Sequence, residues 1–502
     1  MTARRTDVPA RARRFVELAV ATALALTVAP AVEAQTPAGR DTDSIDITGR
    51  QNLTLGSGAR AYGMGGAFLA RADDATAASW NPAGLSYLRL PELTLVGVHN
   101  SFDTQRPTTG PTTDLSAQEN DSFVGGAIDF AAFTWPVAIR EVSGAVQISY
   151  QRAISFDGRR RIDVYGPKKI GTGEDGNSIY DPTQTELRQH TDGSSDGGFD
   201  VVAFGTGLRL SRHVRVGVTV NRWLNGYDQT LNRTLLAEPG RRPVREFSLD
   251  FRPRAWSFNF GVMVSPIEAV SLAAVYKTAP HAGVRLDKAR RDTWGDVGTV
   301  EEVTTNEFSN PDATLDLPSS YGFGLSWRPR DTLTLSADFT RTRWSDATID
   351  GYFDLPAAGK DDDDGNPAPK PAPTIRSAIL YPTLRDPEAI VRQQTDSQQV
   401  RVGVEYVFLT GRLKVPLRVG YFSDRQIIPN PDGDIPRFDG ITAGIGLALG
   451  SMLFDVAYVY EFGEYSVSGG TSDTGVALPD TRYSLRTDRV YASLIYRFSG
   501  RP

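Results

Sequence analysis

Fourteen stretches of this chain alternate apolar and polar residues with period two, and the connections between them alternate long and short. They lie near 92–101, 123–135, 141–153, 198–210, 213–222, 247–264, 269–280, 319–328, 332–343, 398–408, 413–423, 438–449, 453–462 and 489–498. Leu333, Leu335, Ala337 and Phe339 share one face while Thr334, Ser336 and Asp338 share the other, which is strand periodicity. Val400, Val402, Val404, Tyr406 and Phe408 repeat the pattern, with Arg401 and Glu405 opposite. Alternation alone suits a soluble sandwich and a membrane barrel equally. Loop lengths separate them. Tight turns at 136–140, 211–212, 266–268, 329–331, 409–412 and 450–452 interleave with longer connections, notably 154–197, 281–318 and 344–397. Outer-membrane barrels segregate short periplasmic turns from long external loops, and an even strand number puts both termini in the periplasm. The predicted fold is all-β: a fourteen-stranded antiparallel transmembrane β-barrel.

The rest of the composition narrows the function. The 502 residues include no cysteine, which excludes a disulfide framework, a thiolate nucleophile and cysteine-ligated zinc. Four histidines (His99, His190, His213, His281) stand too far apart for a local metal clip. A net charge of −6 argues against nucleic acid as a partner. Gly193-Ser-Ser-Asp-Gly197 matches GxSxG in letters only, without the strand-to-helix setting of a nucleophile elbow, so no enzymatic activity is expected. Gly63-Met-Gly-Gly-Ala-Phe lacks the Lys-Ser/Thr of a phosphate loop. The run Asp361–Asp364 with Gly365 could offer oxygens to calcium, but a solvated external loop is the commoner use of such a stretch. No cofactor or metal site is expected.

The first 34 residues read as an export signal. Arg4, Arg5, Arg11, Arg13 and Arg14 precede the apolar stretch Leu18–Val32, and Val32 and Ala34 suit a cut before Gln35. The mature chain would carry 49 basic and 57 acidic residues. No later segment has the ~18 uninterrupted apolar residues of a spanning helix.

Residues 35–91 precede the first strand and contain Gly56-Ser-Gly-Ala-Arg-Ala-Tyr-Gly-Met-Gly-Gly-Ala-Phe-Leu-Ala70, then Asp73-Asp-Ala-Thr-Ala-Ala-Ser-Trp-Asn-Pro-Ala-Gly-Leu85. This order resembles the N-terminal signature of the FadL/TodX-like outer-membrane transporters for long-chain fatty acids and aromatic hydrocarbons. Leu317–Trp327, Ala337–Ser345, Arg401–Tyr406, Pro416–Asp424 and Phe454–Tyr460 look like later strands of that family. The resemblance implies a barrel over 92–498 whose lumen is closed by an N-terminal hatch over 35–91. Val490, Ala492, Leu494, Tyr496 and Phe498 share a face and resemble the C-terminal assembly signal of bacterial outer-membrane barrels, although Ser499–Pro502 follow.

Hatch and gating residues would be Gly63, Gly65, Gly66, Phe68, Asn81, Pro82 and Ala83. Glycine permits the tight turns a luminal plug needs. Asn81-Pro82 reads as a rigid turn, since proline fixes φ and asparagine bonds nearby backbone. Asp338, Arg401, Glu405, Arg418, Asp455, Glu461 and Arg497 fall on the luminal phase. A mutually paired wall is their plain reading. If one of them meets a ligand carboxylate, Arg401 and Arg418 are the candidates, because a guanidinium forms a cationic fork. Trp135, Trp223, Trp256, Trp327 and Trp344 fit interfacial girdles.

The resemblance implies passive movement of a hydrophobic small molecule across the outer membrane of a Gram-negative bacterium, with capture in the barrel and release gated by the hatch. Expected partners are that ligand, outer-membrane lipid with lipopolysaccharide, and the barrel-assembly machinery during biogenesis. A monomer is expected. The alternative is a barrel acting as an interaction subunit of protein secretion at the cell surface.

Overall fold

The computed structural model describes residues 56–105, 116–139, 142–172, 178–235, 244–294, 302–350, 395–410, 413–427, 429–430, 432–467 and 481–498. The expected export signal and the Asp361–Asp364 run fall outside them, as does residue 35–55 of the expected hatch.

Among the described residues the chain opens with two short helices, α1 (Ala59–Gly63) and α2 (Ala77–Trp80), and a 3-10 turn (Pro82–Tyr87). Strands follow: β1 (Glu92–Gln105), β2 (Ser116–Ile139), β3 (Val142–Ser155), β4 (Gly158–Thr172), β5 (Ser178–Arg209), β6 (Val214–Leu224), β7 (Tyr227–Leu235), β8 (Val244–Ile267), β9 (Val270–Lys277) and β10 (His281–Trp294). The remainder are β11 (Glu302–Asp316), β12 (Ser320–Arg330), β13 (Leu333–Thr342), β14 (Thr348–Asp350), β15 (Ser397–Thr410), β16 (Leu413–Arg425), β17 (Arg437–Leu449), β18 (Met452–Val467) and β19 (Thr481–Arg497).

Fourteen staves form a closed antiparallel barrel. In order they are β1, β2, β3, residues 198–209 of β5, β6, residues 255–267 of β8, β9, β12, β13 and β15 to β19. The ring closes where β1 meets β19, from Glu92 opposite Arg497 to Gln105 opposite Ser484. Closure pairs the staves with their neighbours over most of their length, the condition for backbone to cross lipid in strands. Period two does the rest. Leu93, Ile148, Phe204, Phe260, Phe323, Val402, Val419 and Ile441 point outward and are exposed, forming the apolar belt of an outer-membrane barrel. Glu405, Arg418, Asp455 and Glu461 point inward and are buried.

The connections on the long-loop side differ from the sequence reading. Stretches 154–197 and 281–318 carry strands β4, the upper part of β5, β10 and β11, where loops were expected. Together with β7, the upper part of β8 and β14 they continue the barrel wall upward as one sheet, here called the crown. Their apolar alternation is brief, as in Ala282, Val284 and Leu286, and is set among charges such as Arg285 and Asp287. It was therefore too faint to read as strand without its pairing partners. The inner face of the crown holds an apolar cluster that includes Phe156, Phe199, Tyr227, Phe251, Leu286 and Leu315.

The tryptophans also divide. Trp135, Trp256 and Trp327 stand exposed on the outer face, as a girdle requires. Trp344 instead lies buried in the crown cluster, and Trp223 faces inward beside it. Both sit at stave ends, but on the luminal phase.

Candidate functional site

Residues 56–88 occupy the lumen. Gly65 (φ 68°) and Gly66 (φ 75°) take left-handed backbone that ends α1, with the Gly66 N–H donating to Ala61 O at 2.9 Å. The wall makes room for this backbone with its own glycines: a Cβ at Gly420 would collide with Gly65, and one at Gly217 with Pro82. Asn81 caps the 3-10 turn. Its Oδ1 accepts the Ala83 N–H at 3.1 Å, and Pro82 takes the first position, where no N–H is needed. The Asn81 Nδ2 donates to Leu69 O at 3.1 Å and to Val262 O of β8 at 3.3 Å. Ala83 is fully buried beneath the turn. Phe68 packs edge-on to Trp80, with 6.0 Å between ring centroids.

The two halves of this segment are held differently. The first half, around α1, meets β16 to β19 through charge and backbone hydrogen bonds. Glu405 accepts Arg418 Nε at 2.7 Å and lies 3.4 Å from both Arg60 Nε and Arg71 Nη2. Arg418 Nη1 also reaches Asp455 at 2.6 Å. Arg401 bonds Asp424 at 3.0 Å and donates to Gly65 O at 2.9 Å. Asp338 accepts the Phe68 and Leu69 N–H groups at 2.6 and 2.7 Å. Thr442 receives the Gly65 N–H at 2.9 Å and donates to Gly63 O at 3.1 Å. Tyr62 stacks on Tyr491, with 4.2 Å between centroids. Burial, with Asp129 close by, raises the Tyr62 phenol above its usual range, so it stays protonated and donates to Gly56 O.

The second half has fewer ties. The 3-10 turn packs on β3, β5, β6 and β8. Lys277 Nζ donates to Ser79 O at 2.9 Å, and Gln147 Nε2 to Ala75 O at 2.7 Å. Above this half lies a cavity of about 90 Å³. Its floor is Ala78 and Ser79, and its roof is Pro280, Leu317 and Pro318 at the base of the crown. Phe130, Ala153, Val201, Ala203 and Trp223 supply apolar wall. Among the described lining residues Lys277 alone is charged. A smaller void of about 10 Å³, bordered by Gly66, Phe68's neighbour Leu69, Lys277 and Arg401, adjoins the luminal segment. Arg401 thus reaches only the small void, and Arg418 lines neither space; both bind carboxylates of the wall. Lys277 was missed in the sequence, although Ala273, Val275 and Lys277 share the luminal phase of β9.

The barrel wall is unevenly paired beside the cavity. β2 pairs with β3 from Phe130 to Ile139, and with β4 from Ser116 to Ser122. Its intervening residues 123–128 pair with β1 alone among the described residues, and Asp129 is skipped where that ladder slips between Val96 and Gly97. Facing them, β3 from Arg152 to Ser155 pairs with β5, with an irregularity between Arg152 and Ile154. Phe130, Gln151 and Ala153, which border this unpaired stretch, also line the cavity.

No protein-family model and no curated protein matches the chain. Solved structures do. A Pseudomonas aeruginosa FadL homologue superposes with a TM-score of 0.57 at 15% identity, over 89% of this chain and 99% of its own. The CymD monoaromatic hydrocarbon channel gives 0.53 at 15%, over 89% and 100%. The Pseudomonas putida toluene transporter TodX gives 0.53 at 14%, over 90% and 100%. The chain therefore has the fold of the FadL/TodX-like outer-membrane channels, a fourteen-stranded barrel.

Proposed function

We propose that this barrel is a passive outer-membrane channel for hydrophobic small molecules, with residues 56–88 as its hatch. The observation that carries the reading is one cavity with a mixed, mostly apolar surface, roofed by the crown and floored by α2, lying directly beside the unpaired stretch of β2 and β3. A ligand would enter through the apolar interior of the crown and rest above Ala78 and Ser79. It would leave sideways between residues 123–129 of β2 and Arg152–Ser155 of β3. An apolar molecule gains by moving from a lumen into lipid, so no energy source is needed. The chain's fold neighbours, described as a FadL homologue, a monoaromatic hydrocarbon channel and a toluene transporter, support the same class of cargo.

In this reading the ion-paired half of the hatch is an anchor, and the half from Ala75 to Tyr87 is the part that yields. Lys277 holds that half through Ser79 O and is the cation a polar ligand head would meet. Gly63, Gly65, Gly66 and Phe68 belong to the anchor; Asn81, Pro82 and Ala83 form the pivot. Arg401 and Arg418 serve the anchor through Asp424, Glu405 and Asp455.

The test is uptake of labelled oleate and of a labelled monoaromatic by cells lacking their own transporter. Saturable uptake of either that depends on the barrel, and is lost in Ala153→Trp, is expected. No uptake of either at normal surface level would overturn the proposal.

A further inference from the structure

We propose that Arg89, Arg209 and Arg215 form an oxyanion site on the turn-side underside of the luminal segment, taking a carboxylate or phosphate group from the periplasm. Arg209 ends β5 and Arg215 begins β6, and they are direct cross-strand partners. Both fall on the luminal phase, in step with Val201 and Ala203 on β5 and with Asn221 and Trp223 on β6, which line the cavity above. Like charges set opposite each other across a ladder destabilise it. Arg89 follows two residues after Tyr87, on whose ring Arg215 lies.

No carboxylate offsets this cluster among the described residues. Arg209 Nε donates only to the Ser211 carbonyl, at 3.3 Å. Arg215 is 9% exposed, and its Nε is buried with no hydrogen-bond partner. Its guanidinium carbon lies 3.9 Å from the centroid of the Tyr87 ring, the last residue of the turn. What sets Arg215 apart is that this largely buried side chain, beside a second cation on the ladder, has no counterion among the described residues. Every other buried arginine of the lumen that was described above has one: Arg401 has Asp424, and Arg418 has Glu405 and Asp455. Planar guanidinium forks match the paired oxygens of carboxylate and phosphate. An anion there would neutralise the repulsion between β5 and β6 and fix Arg215 against Tyr87, holding the end of the luminal segment in place.

The test uses the purified full barrel in uncharged detergent at constant ionic strength. Inorganic phosphate and hexanoate are titrated separately by calorimetry. The expected result is saturable binding of at least one, weakened tenfold or more in Arg209→Gln and in Arg215→Gln. Arg328→Gln, at the same rim but outside the cluster, should bind as the parent does. Binding of hexanoate alone assigns the site to a carboxylate, and binding of phosphate alone to a phosphate group. No saturable binding of either, or binding unchanged in Arg209→Gln, overturns the proposal. Should Arg215→Gln fail to fold, Arg209→Gln and the exposed Arg89→Gln carry the comparison.

Discussion

Replacing Asn81 with alanine should loosen the hatch without loosening the barrel. The side chain is fully buried and makes three hydrogen bonds: it accepts from Ala83 and donates to Leu69 O and Val262 O. Loss of the cap removes about 1 kcal/mol. The Leu69 carbonyl, buried within the luminal segment, then lacks that donor, and an unsatisfied buried group costs about 1–3 kcal/mol. Together the change weakens docking of the second half by about 3 kcal/mol, or roughly a hundredfold in its open population. The β-strands keep their ladders, because Asn81 contributes no strand pairing. Hydrogen exchange followed by mass spectrometry reads this directly. Amides of residues 75–88 should exchange about a hundredfold faster, if opening limits their exchange, while β12, β13 and β16 stay as in the parent. Equal exchange in the two proteins would refute the argument, since it would mean that Asn81 does not hold the turn.

Four further outcomes are expected. Glu405→Gln leaves Arg60, Arg71 and Arg418 around a neutral group, so it should destabilise the anchor by about 3–5 kcal/mol and lower the temperature of hatch release before that of barrel unfolding, which scanning calorimetry separates. Lys277→Met should leave monoaromatic uptake intact but raise the KM for a fatty acid, if its ammonium meets the ligand head; an unchanged KM would remove Lys277 from ligand contact. Trp223→Ala widens the cavity and should weaken ligand retention severalfold in equilibrium binding, with no loss of surface level. Asp396 bears on acid sensitivity: burial acts to raise its carboxyl, but hydrogen bonds from Ser345 and Arg341 outweigh this and hold it below the ordinary value. A carboxyl depressed in the fold stabilises above its unfolded value, about 3.9, and that contribution fades as pH falls through the folded value. Hydrogen-exchange protection of amides 343–349 should therefore be flat between neutral pH and about 5 and decline below about 4; Asp396→Asn should show the low-pH behaviour throughout.

Where the chain was legible, one face of each segment met a single uniform environment. The apolar phase of β13, from Leu333 to Phe339, sees only lipid, so alternation and stave coincide. The crown was hidden because its outer face carries charge and its inner apolar run is short. The unpaired stretch of β2 was hidden for a different reason. Val124 and Ile128 face outward one residue out of step with Phe133 and Trp135, because the ladder slips at Asp129, and the absence of a β3 partner is a property of two strands together. Inward phase marked Arg401, Arg418 and Lys277 alike. That Arg401 and Arg418 each meet a wall carboxylate depends on other strands, which carry Asp424 and Asp455.

The continuity of β5 has a mechanical consequence. Its 32 residues run from the crown to the turn below the lumen without leaving the sheet. A vestibule made this way is a rigid chimney rather than a set of flaps. At about 3.3 Å per residue, twenty residues of strand above the stave reach tens of ångströms past the lipid boundary. For the cargo proposed above, a mouth at that height would meet a sparingly soluble molecule well clear of the bilayer. A stiff mouth cannot reshape itself around each guest, so discrimination falls to the fixed side chains of its bore.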